Sequence, residues 1–285
     1  MKGPCQGGLE SDSLLIALLK GHRIVAARAE RGPEYICPCC GGELILRKGR
    51  KVIHHFAHKP PVSCAWGKGE TQAHLKAKAH LAKSFSDRDI RSEVEFVVST
   101  PTGVRRADVM AWKPNGTSVA FELQHTSITL DEIEARALAY AQAGIAQIWI
   151  PFLPPSVWAR GHEREAGAWF VPRYAARPFE RWVHGFDRKA GMWMYDPRED
   201  TLWHGRLAKH RIYLPPATWY STQGEDRHTG GYWKQSARYQ ELTLTGPYSW
   251  EQLRVQIRHR NAVTIGDYRW PRGMRATFVP ADDPV

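Results

Sequence analysis

The order of helix-like and strand-like patterns between residues 70 and 152 constrains the fold more than any other feature of the sequence. The segment "ETQAHLKAKAHLAKSF" is rich in Ala, Leu and Lys, with apolar residues at helical spacing, so it predicts a helix. The strand-like segments "EVEFVVST", "RRADVMAW" and "SVAFELQHT" follow, separated by short Gly-containing turns. A second helix, "TLDEIEARALAYAQAG", then leads to a buried strand, "IAQIWIPF". Tight turns combined with a helical crossover predict a mixed sheet with helices packed on it.

The third predicted strand carries two polar residues within an apolar run. Glu122 and Gln124 are two positions apart, so they point to the same face of a strand. Asp108 lies on the preceding strand, and pairing of the two strands would bring its carboxylate to the same end of the sheet as Glu122. Two carboxylates and a backbone carbonyl, such as that of Leu123, suit Mg²⁺, which activates water and stabilises charge on a phosphodiester.

The first predicted helix adds an acid, an imidazole and an ammonium group. Glu70, His74 and Lys78 are spaced at i, i+4 and i+8, so they share one helix face. If this face points to the end of the sheet, it extends the carboxylate site. A solvated face with ordinary ion pairs is the alternative.

Gln124 stands where a metal-dependent nuclease commonly has a lysine. Its amide forms hydrogen bonds but carries no charge. Lys78 is the first candidate for supplying the missing cation, and Arg106 and Arg136 are alternatives. His74 is a candidate for proton transfer, given an unperturbed pKa near 6.5; a structural hydrogen bond to a carboxylate is an equal alternative.

The cysteines form a second constellation. They are odd in number and stop at Cys64, which favours a reduced compartment with a local metal site over a disulfide framework. A C-x-x-C motif followed by glycine and an H-x-x-H motif predict a closed, structural zinc site formed by Cys37, Cys40, His55 and His58. Cys39 and His54 should point elsewhere, and Cys64 is the main rival for the fourth position. The alternative is a cluster of buried thiols with surface histidines.

Charge and hydropathy limit the partners. A net charge of +11 and a pI of about 9.5 favour a polyanion, nucleic acid first and an anionic membrane surface second. The apolar run "LLIALL" is too short to span a bilayer and lacks the basic flank of a secretory signal. We therefore expect a cytoplasmic protein that binds DNA and no membrane.

The C-terminal region is rich in tryptophan. Nine of the twelve tryptophans lie between Trp158 and Trp270, among short alternating segments that suggest β-structure. They could form a platform for stacking bases, but their even spacing favours a hydrophobic core. The predicted divisions are a flexible N-terminus at 1–13, β-hairpins with the zinc segment at 14–66, the nuclease-like core at 67–152 and the Trp-rich region at 153–285.

Taken together, the segments "CPCCGG", "HFAH", "ETQAHLKAK", "RRADV" and "FELQHTSIT" resemble the competence protein CoiA family over about residues 14 to 152. The resemblance implies an α+β protein in which a zinc-binding segment precedes a PD-(D/E)xK nuclease-like core. It implies Asp108 and Glu122 as metal carboxylates, Glu70 as the acid of the first helix, and Gln124 in the lysine position. The accompanying polar positions of the family fall on His74, Lys78, Arg106, Arg136 and Tyr140.

The expected function is a Mg²⁺- or Mn²⁺-dependent deoxyribonuclease acting in competence, recombination or defence against foreign DNA, with a structural Zn²⁺. The main alternative is a catalytically inactive DNA-binding accessory protein in recombination or DNA uptake. A third interpretation is a scaffold that docks recombination or defence proteins.

Overall fold

The computed structural model describes residues 13–60, 64, 71–187 and 191–282, and within these ranges the fold is a mixed α+β structure dominated by strands. Glu70 and nearly all of the predicted flexible N-terminus lie outside the described residues. None of the helices in the described ranges is long and apolar enough to cross a membrane.

The first six strands form an antiparallel sheet with the order β1-β6-β5-β4-β2-β3. These strands are β1 (Ser13–Leu14), β2 (Ile16–Leu19), β3 (His22–Val25), β4 (Tyr35–Ile36), β5 (Glu43–Arg47) and β6 (His55–His58). The turn between β2 and β3 places Lys20 and Gly21 at φ 50° and 82°, and two consecutive positive φ values fit the right-handed twist of a tight hairpin. The predicted hairpins on both sides of the cysteine motif are confirmed.

The next segment has the predicted order of helix, three strands, helix and strand. Its elements are α1 (Gln72–Ser86), β7 (Ser92–Thr100), β8 (Gly103–Trp112), β9 (Ser118–Gln124), α2 (Leu130–Gln142) and β10 (Ala146–Pro151). Strands β7, β8 and β9 are antiparallel, whereas β10 runs parallel to β9 because α2 crosses over between them. Thr129 caps α2 through a capping box with Glu132.

The C-terminal region is β-rich, as predicted. Its helices are α3 (Ser156–Arg160) and α4 (Pro178–Phe186), with a 3₁₀ turn at Glu165–Gly167. Its strands are β11 (His162–Glu163), β12 (Trp169–Tyr174), β13 (Met192–Asp196), β14 (Thr201–Leu214), β15 (Ala217–Tyr220), β16 (Asp226–Thr229), β17 (Tyr232–Tyr248), β18 (Leu253–Arg260), β19 (Val263–Ile265), β20 (Tyr268–Trp270) and β21 (Gly273–Pro280). Strands β11, β12, β17, β14 and β13 form a five-stranded sheet in that order.

The predicted division between residues 152 and 153 does not separate two sheets. The central sheet has the order β18-β21-β10-β9-β8-β7, so two C-terminal strands complete it. Strand β10 is buried along its whole length, and a strand covered on both faces belongs in the interior of a sheet. Its second neighbour, β21, comes from more than 120 residues later in the chain, a pairing that local sequence patterns do not indicate.

Helices α1 and α2 cover opposite faces of the central sheet. Leu75 and Phe85 of α1 pack in one cluster with Phe121 of β9, whereas Tyr140 of α2 packs in another with Ala120. Because successive strand residues face opposite sides, this division follows the pleat. The two helices therefore reach the end of the sheet from its two sides.

The tryptophans of the C-terminal region are mainly core residues, the interpretation that the sequence favoured. Trp182, Trp193, Trp250 and Trp270 are buried. Trp158, Trp169 and Trp203 are partly buried and pack against the cluster that contains Trp182 and Trp270. Trp219 and Trp233 are exposed and form an exception.

Candidate active site and metal-binding cluster

Asp108 and Glu122 line one open cavity of about 360 Å³ at the end of β8 and β9. The last registered pair of these strands is Val109 with Phe121, so the two acids lie one step beyond it. The sequence prediction that they meet at one end of the sheet agrees with this placement. Both side chains are largely buried, and Glu122 is only 1% exposed.

Asp108 is held by the backbone of β9 and by α1. Its Oδ2 accepts a hydrogen bond from the Leu123 amide at 2.8 Å and lies 3.3 Å from Nε2 of His74. Burial alone would raise the pKa of Asp108, but His74, with Lys78 and Arg136, brings it below its ordinary value. Asp108 is therefore ionised at neutral pH.

Glu122 is held by α2. Its Oε1 accepts a hydrogen bond from the Tyr140 hydroxyl at 2.5 Å, and its Oε2 pairs with the guanidinium of Arg136. Burial, with the negative charge of Asp108, raises the pKa of Glu122 to about 7, although Arg136 and Tyr140 oppose that shift. The two acids form a coupled pair in which Asp108 ionises first.

Lys78 lies beneath the site rather than in the cavity. Its side chain is 0% exposed, and its Nζ donates to Oε1 of Glu95 at 2.8 Å. Glu95, which is 2% exposed, has a positive φ of 51° and sits between the registered pairs Val94–Val109 and Phe96–Ala107. The positive charge of Lys78 still lowers the pKa of Asp108. Lys78 therefore acts on the site electrostatically while its ammonium group pairs with Glu95.

The remaining predicted residues surround the cavity. Gln124 lines it and donates its amide to the Thr126 carbonyl at 2.7 Å. Arg106 lines it as well, and its carbonyl accepts a 3.4 Å hydrogen bond from Arg136. Among the described residues that line the cavity, the permanently charged cations are thus arginines.

Two residues of the site were not predicted from the sequence. His125 lines the cavity and packs edge-on against Phe152 at 5.0 Å, and burial lowers its pKa. Its place directly after Gln124 at a strand end was the available signal. Glu95 shares β7 with a second acid, Glu93, so the strand pattern did not single it out, and the sequence does not indicate its positive φ.

A second cluster gathers four metal-ligating side chains in the N-terminal sheet. The ligand atoms of Cys37, Cys40, His58 and Cys64 all lie within 4.8 Å of one another. The Sγ atoms of Cys37 and Cys64 are 3.9 Å apart, and Sγ of Cys40 is 3.4 Å from Nε2 of His58. A tetrahedral zinc with ordinary bond lengths separates two sulfurs by about 3.8 Å and a sulfur from a nitrogen by about 3.6 Å. The cluster could therefore hold a metal such as zinc.

The predicted ligand set changes at one position. His55 is not part of the cluster, because its Nδ1 contacts the Ile53 carbonyl at 2.9 Å. Cys64, the rival considered from the sequence, takes the fourth place. His55 and His58 are three positions apart on β6, so they point to opposite faces of the strand, whereas no local sequence pattern placed Cys64 beside His58. Cys39 is exposed and His54 lines a different cavity, so both point elsewhere as predicted.

Backbone amides approach the sulfurs of the C-x-x-C turn. The Cys39 amide donates to Sγ of Cys37 and the Gly42 amide to Sγ of Cys40, each at 3.4 Å. Gly41, at φ 69°, provides the left-handed turn that this approach needs. Burial raises the pKa of the Cys37 thiol, with further contributions from Cys64 and Cys40, so a cation is needed to hold the Cys37 sulfur as a thiolate.

Two family models match consecutive segments of the chain. Residues 19–67 match the competence protein CoiA N-terminal domain, and residues 70–153 match the competence protein CoiA nuclease-like domain. Competence protein CoiA of Bacillus subtilis (strain 168) is 33% identical over 118 residues, which cover 41% of this chain and 31% of that protein. The aligned segment thus spans about a third of that relative's length.

A solved structure also shows a partial likeness. The crystal structure of a protein of unknown function, AF1548, aligns with 28% of this chain and 46% of its own at 16% identity and a TM-score of 0.23. At that level the likeness carries no argument. The similarity of this chain to known proteins therefore rests on the sequence matches within residues 19–153.

Proposed function

We propose, from the premise that this chain is a CoiA-like protein with a nuclease-like domain, that it hydrolyses phosphodiester bonds of DNA in a metal-dependent reaction of the PD-(D/E)xK type. The observation that carries the proposal is the meeting of Asp108 and Glu122 in one open cavity. Burying a carboxylate costs free energy unless a partner balances its charge, and each of these two acids needs a partner from a different helix. Packing alone therefore does not explain why acids lie there.

The donor set fits a hard cation. Carboxylate oxygens are the ligands that Mg²⁺ and Mn²⁺ prefer. Burial, with the negative charge of Asp108, raises the pKa of Glu122, and a divalent cation would stabilise both acids as anions. Such a cation supplies activated water and stabilisation of phosphate charge when bound. Asp108 and Glu122 would hold it. A structural Zn²⁺ at the cysteine cluster completes the proposed cofactors.

The surrounding residues provide binding and orientation. Arg136 pairs with Glu122 and keeps about a third of its side chain exposed, so it can contact a phosphate from the cavity wall. His74 orients Asp108. The Gln124 amide donates to Thr126, which leaves its oxygen as an acceptor for a water molecule.

The test is incubation of the purified protein with single-stranded, duplex and branched DNA, with Mg²⁺ or Mn²⁺ added. We expect metal-dependent cleavage that falls by about a hundredfold or more in Asp108→Asn and in Glu122→Gln, since each substitution removes a charged ligand. Thermal unfolding and zinc content of both variants serve as controls for folding. Cleavage that both substitutions leave unchanged would contradict the proposal.

The engagement of Lys78 with Glu95 favours a second candidate, a DNA-binding protein with an inactive nuclease-like site. In that case no lysine among the described residues lines the cavity, and the uncharged Gln124 occupies the lysine position. This candidate predicts salt-sensitive DNA binding without cleavage in the presence of any divalent metal. Its pathway would be recombination or DNA uptake.

A further inference from the structure

A two-stranded ribbon projects from the five-stranded sheet. Strand β12 pairs with β17 only as far as Gln240, and β13 pairs with β14 only as far as Gly205. Strands β14 and β17 continue to pair with each other from Lys209 opposite Gln240 to Leu214 opposite Tyr232, a distance of roughly 17 Å. The hairpin formed by β15 and β16 follows at the tip. Residues 209–240 are called the β-arm below.

The β-arm carries the exposed aromatic residues of the described chain. Tyr213, Trp219, Tyr232 and Trp233 are 49%, 48%, 47% and 65% exposed. The other large hydrophobic residues exposed in the described ranges are aliphatic. Since a two-stranded ribbon has no layer packed on it, these rings do not contribute to a core. The other tryptophans of the C-terminal region are buried or partly buried, so exposure on the β-arm needs a separate explanation.

Cations alternate with these rings. Arg211 and Tyr213 are two positions apart on β14, and Trp233 is the registered partner of Tyr213, so all three share one face of the ribbon. The rings of Tyr213 and Trp233 lie 5.5 Å apart at an angle of 55°. In the tip hairpin, Trp219 is paired with Arg227. The β-arm contains five Lys and Arg residues against two acidic residues.

We propose that the β-arm binds single-stranded DNA, with bases stacking on Trp219 and Trp233 and phosphates contacting Arg211. Exposed rings beside cations match the way that single strands are bound without sequence preference. A duplex keeps its bases stacked and offers no free ring face to tryptophan. A second copy of this basic chain would meet repulsion at the β-arm, so charge disfavours self-association.

The surface is separate from the carboxylate cavity and extends the proposed function by naming a single-stranded substrate. The proposal rests on the proposed function only for the choice of DNA over RNA. Binding is therefore measured apart from cleavage, in Asp108→Asn protein, so that a failure of either proposal is recognised on its own.

The experiment is fluorescence anisotropy of labelled oligo-dT and of a duplex of equal length with full-length Asp108→Asn protein. We expect preference for oligo-dT, with Trp219→Ala and Trp233→Ala each weakening binding about fivefold or more, the lower limit for stacking of one base. Arg211→Ala should lower the dependence of log affinity on log salt by about 0.7, because one phosphate contact is lost. Ile265→Ala, which removes an equally exposed side chain outside the β-arm, and Arg50→Ala are the matched controls and should bind as the parent does.

Unchanged affinity in both tryptophan variants would overturn the proposal. Equal affinity for duplex and oligo-dT, independent of the two tryptophans, would also overturn it and would indicate phosphate contacts alone. A concentration-dependent dimer that disappears in Trp233→Ala, measured by sedimentation, would assign the surface to a second copy instead. Circular dichroism of each variant confirms that the fold is retained, which is expected because both side chains are exposed.

Discussion

The cysteine cluster and the carboxylate cavity are built in opposite ways. The cysteine cluster draws its side chains from residues 37 to 64 and surrounds them with the small N-terminal sheet. The carboxylate cavity joins two strands of the central sheet and receives partners from helices on both faces. The cysteine cluster is closed, whereas the carboxylates line an open cavity of about 360 Å³. Four soft ligands in a closed site suit a structural metal, whereas oxygen ligands in an open site leave room for a substrate.

The two sites also differ in the groups that balance the charges of their ligating side chains. Backbone amides donate to the sulfurs of Cys37 and Cys40, but burial raises the pKa of the Cys37 thiol, so its ionised form depends on a bound cation. The carboxylates are balanced by protein cations, with His74 at Asp108 and Arg136 at Glu122. We therefore expect metal removal to affect stability at the cysteine cluster and activity at the carboxylate cavity.

The largest expected effect is loss of the cysteine cluster. Cys64→Ser should abolish zinc binding and unfold the N-terminal sheet, since a structural zinc site contributes on the order of 10 kcal/mol of metal-coupled folding energy. Metal content of the purified protein and its thermal unfolding measure this. His55→Ala and Cys39→Ser are the controls and should retain the metal. Zinc retained in Cys64→Ser but lost in His55→Ala would restore the set predicted from the sequence.

The next largest effect is expected at the buried pair beneath the carboxylate cavity. Lys78→Ala leaves Glu95 buried without its cation, which should lower the free energy of unfolding by about 3–5 kcal/mol. Chemical denaturation measures the change. Lys83→Ala, on the same helix but in an exposed pair with Asp87, is the matched control and should have little effect.

The joint substitution of Lys78 and Glu95 separates folding from catalysis at this pair. Lys78→Met combined with Glu95→Leu removes both charges at similar volume and should recover most of the lost stability. Cleavage that returns with stability shows that Lys78 acts structurally. Stability that returns without cleavage would support the role predicted from the sequence, in which Lys78 supplies the charge that Gln124 lacks.

Activity of the carboxylate cavity should depend on the protonation of Glu122. Because a protonated carboxyl binds cations poorly, cleavage should fall as pH drops, and the fall should lie below the pKa of about 7 that Glu122 has without metal, since a bound cation stabilises the carboxylate. Tyr140→Phe removes a hydrogen bond that stabilises the ionised form, so the acid limb of the pH profile should move to higher pH. A profile that stays in place, with lower activity at every pH, would indicate that Tyr140 acts through packing alone.

The central segment could be predicted from the sequence because its order rests on local patterns. Helical spacing in α1, alternation in β7 and the Gly turns between strands are each contained within about 15 residues. The proximity of Asp108 and Glu122 could be predicted because the two residues lie on strands that are adjacent in sequence and pair with each other. The addition of β18 and β21 to the sheet required contacts across more than 100 residues, which no local pattern contains.

Errors of detail in the predicted sites have local physical causes. An H-x-x-H motif suggests two ligands, but His55 contacts the Ile53 carbonyl and points away from the cysteines. The spacing of His74 and Lys78 on α1 was read correctly as one face, and His74 reaches Asp108. Lys78 reaches Glu95 instead of the cavity because β7 adopts a positive φ at that residue, a conformation that the sequence does not indicate.

The smallest expected effect comes from placing a lysine in the position of Gln124. In Gln124→Lys the new ammonium enters the cavity beside Glu122 and stabilises its ionised form, so the acid limb of the pH profile should move to lower pH by up to about one unit. The shift is opposite in sign to that of Tyr140→Phe, and the pH dependence of cleavage measures both. Gln124→Met, similar in length but without charge, is the matched control and should leave the limb in place. Equal shifts in the two Gln124 variants would mean that loss of the hydrogen bond to Thr126, rather than the added charge, changes the titration of Glu122.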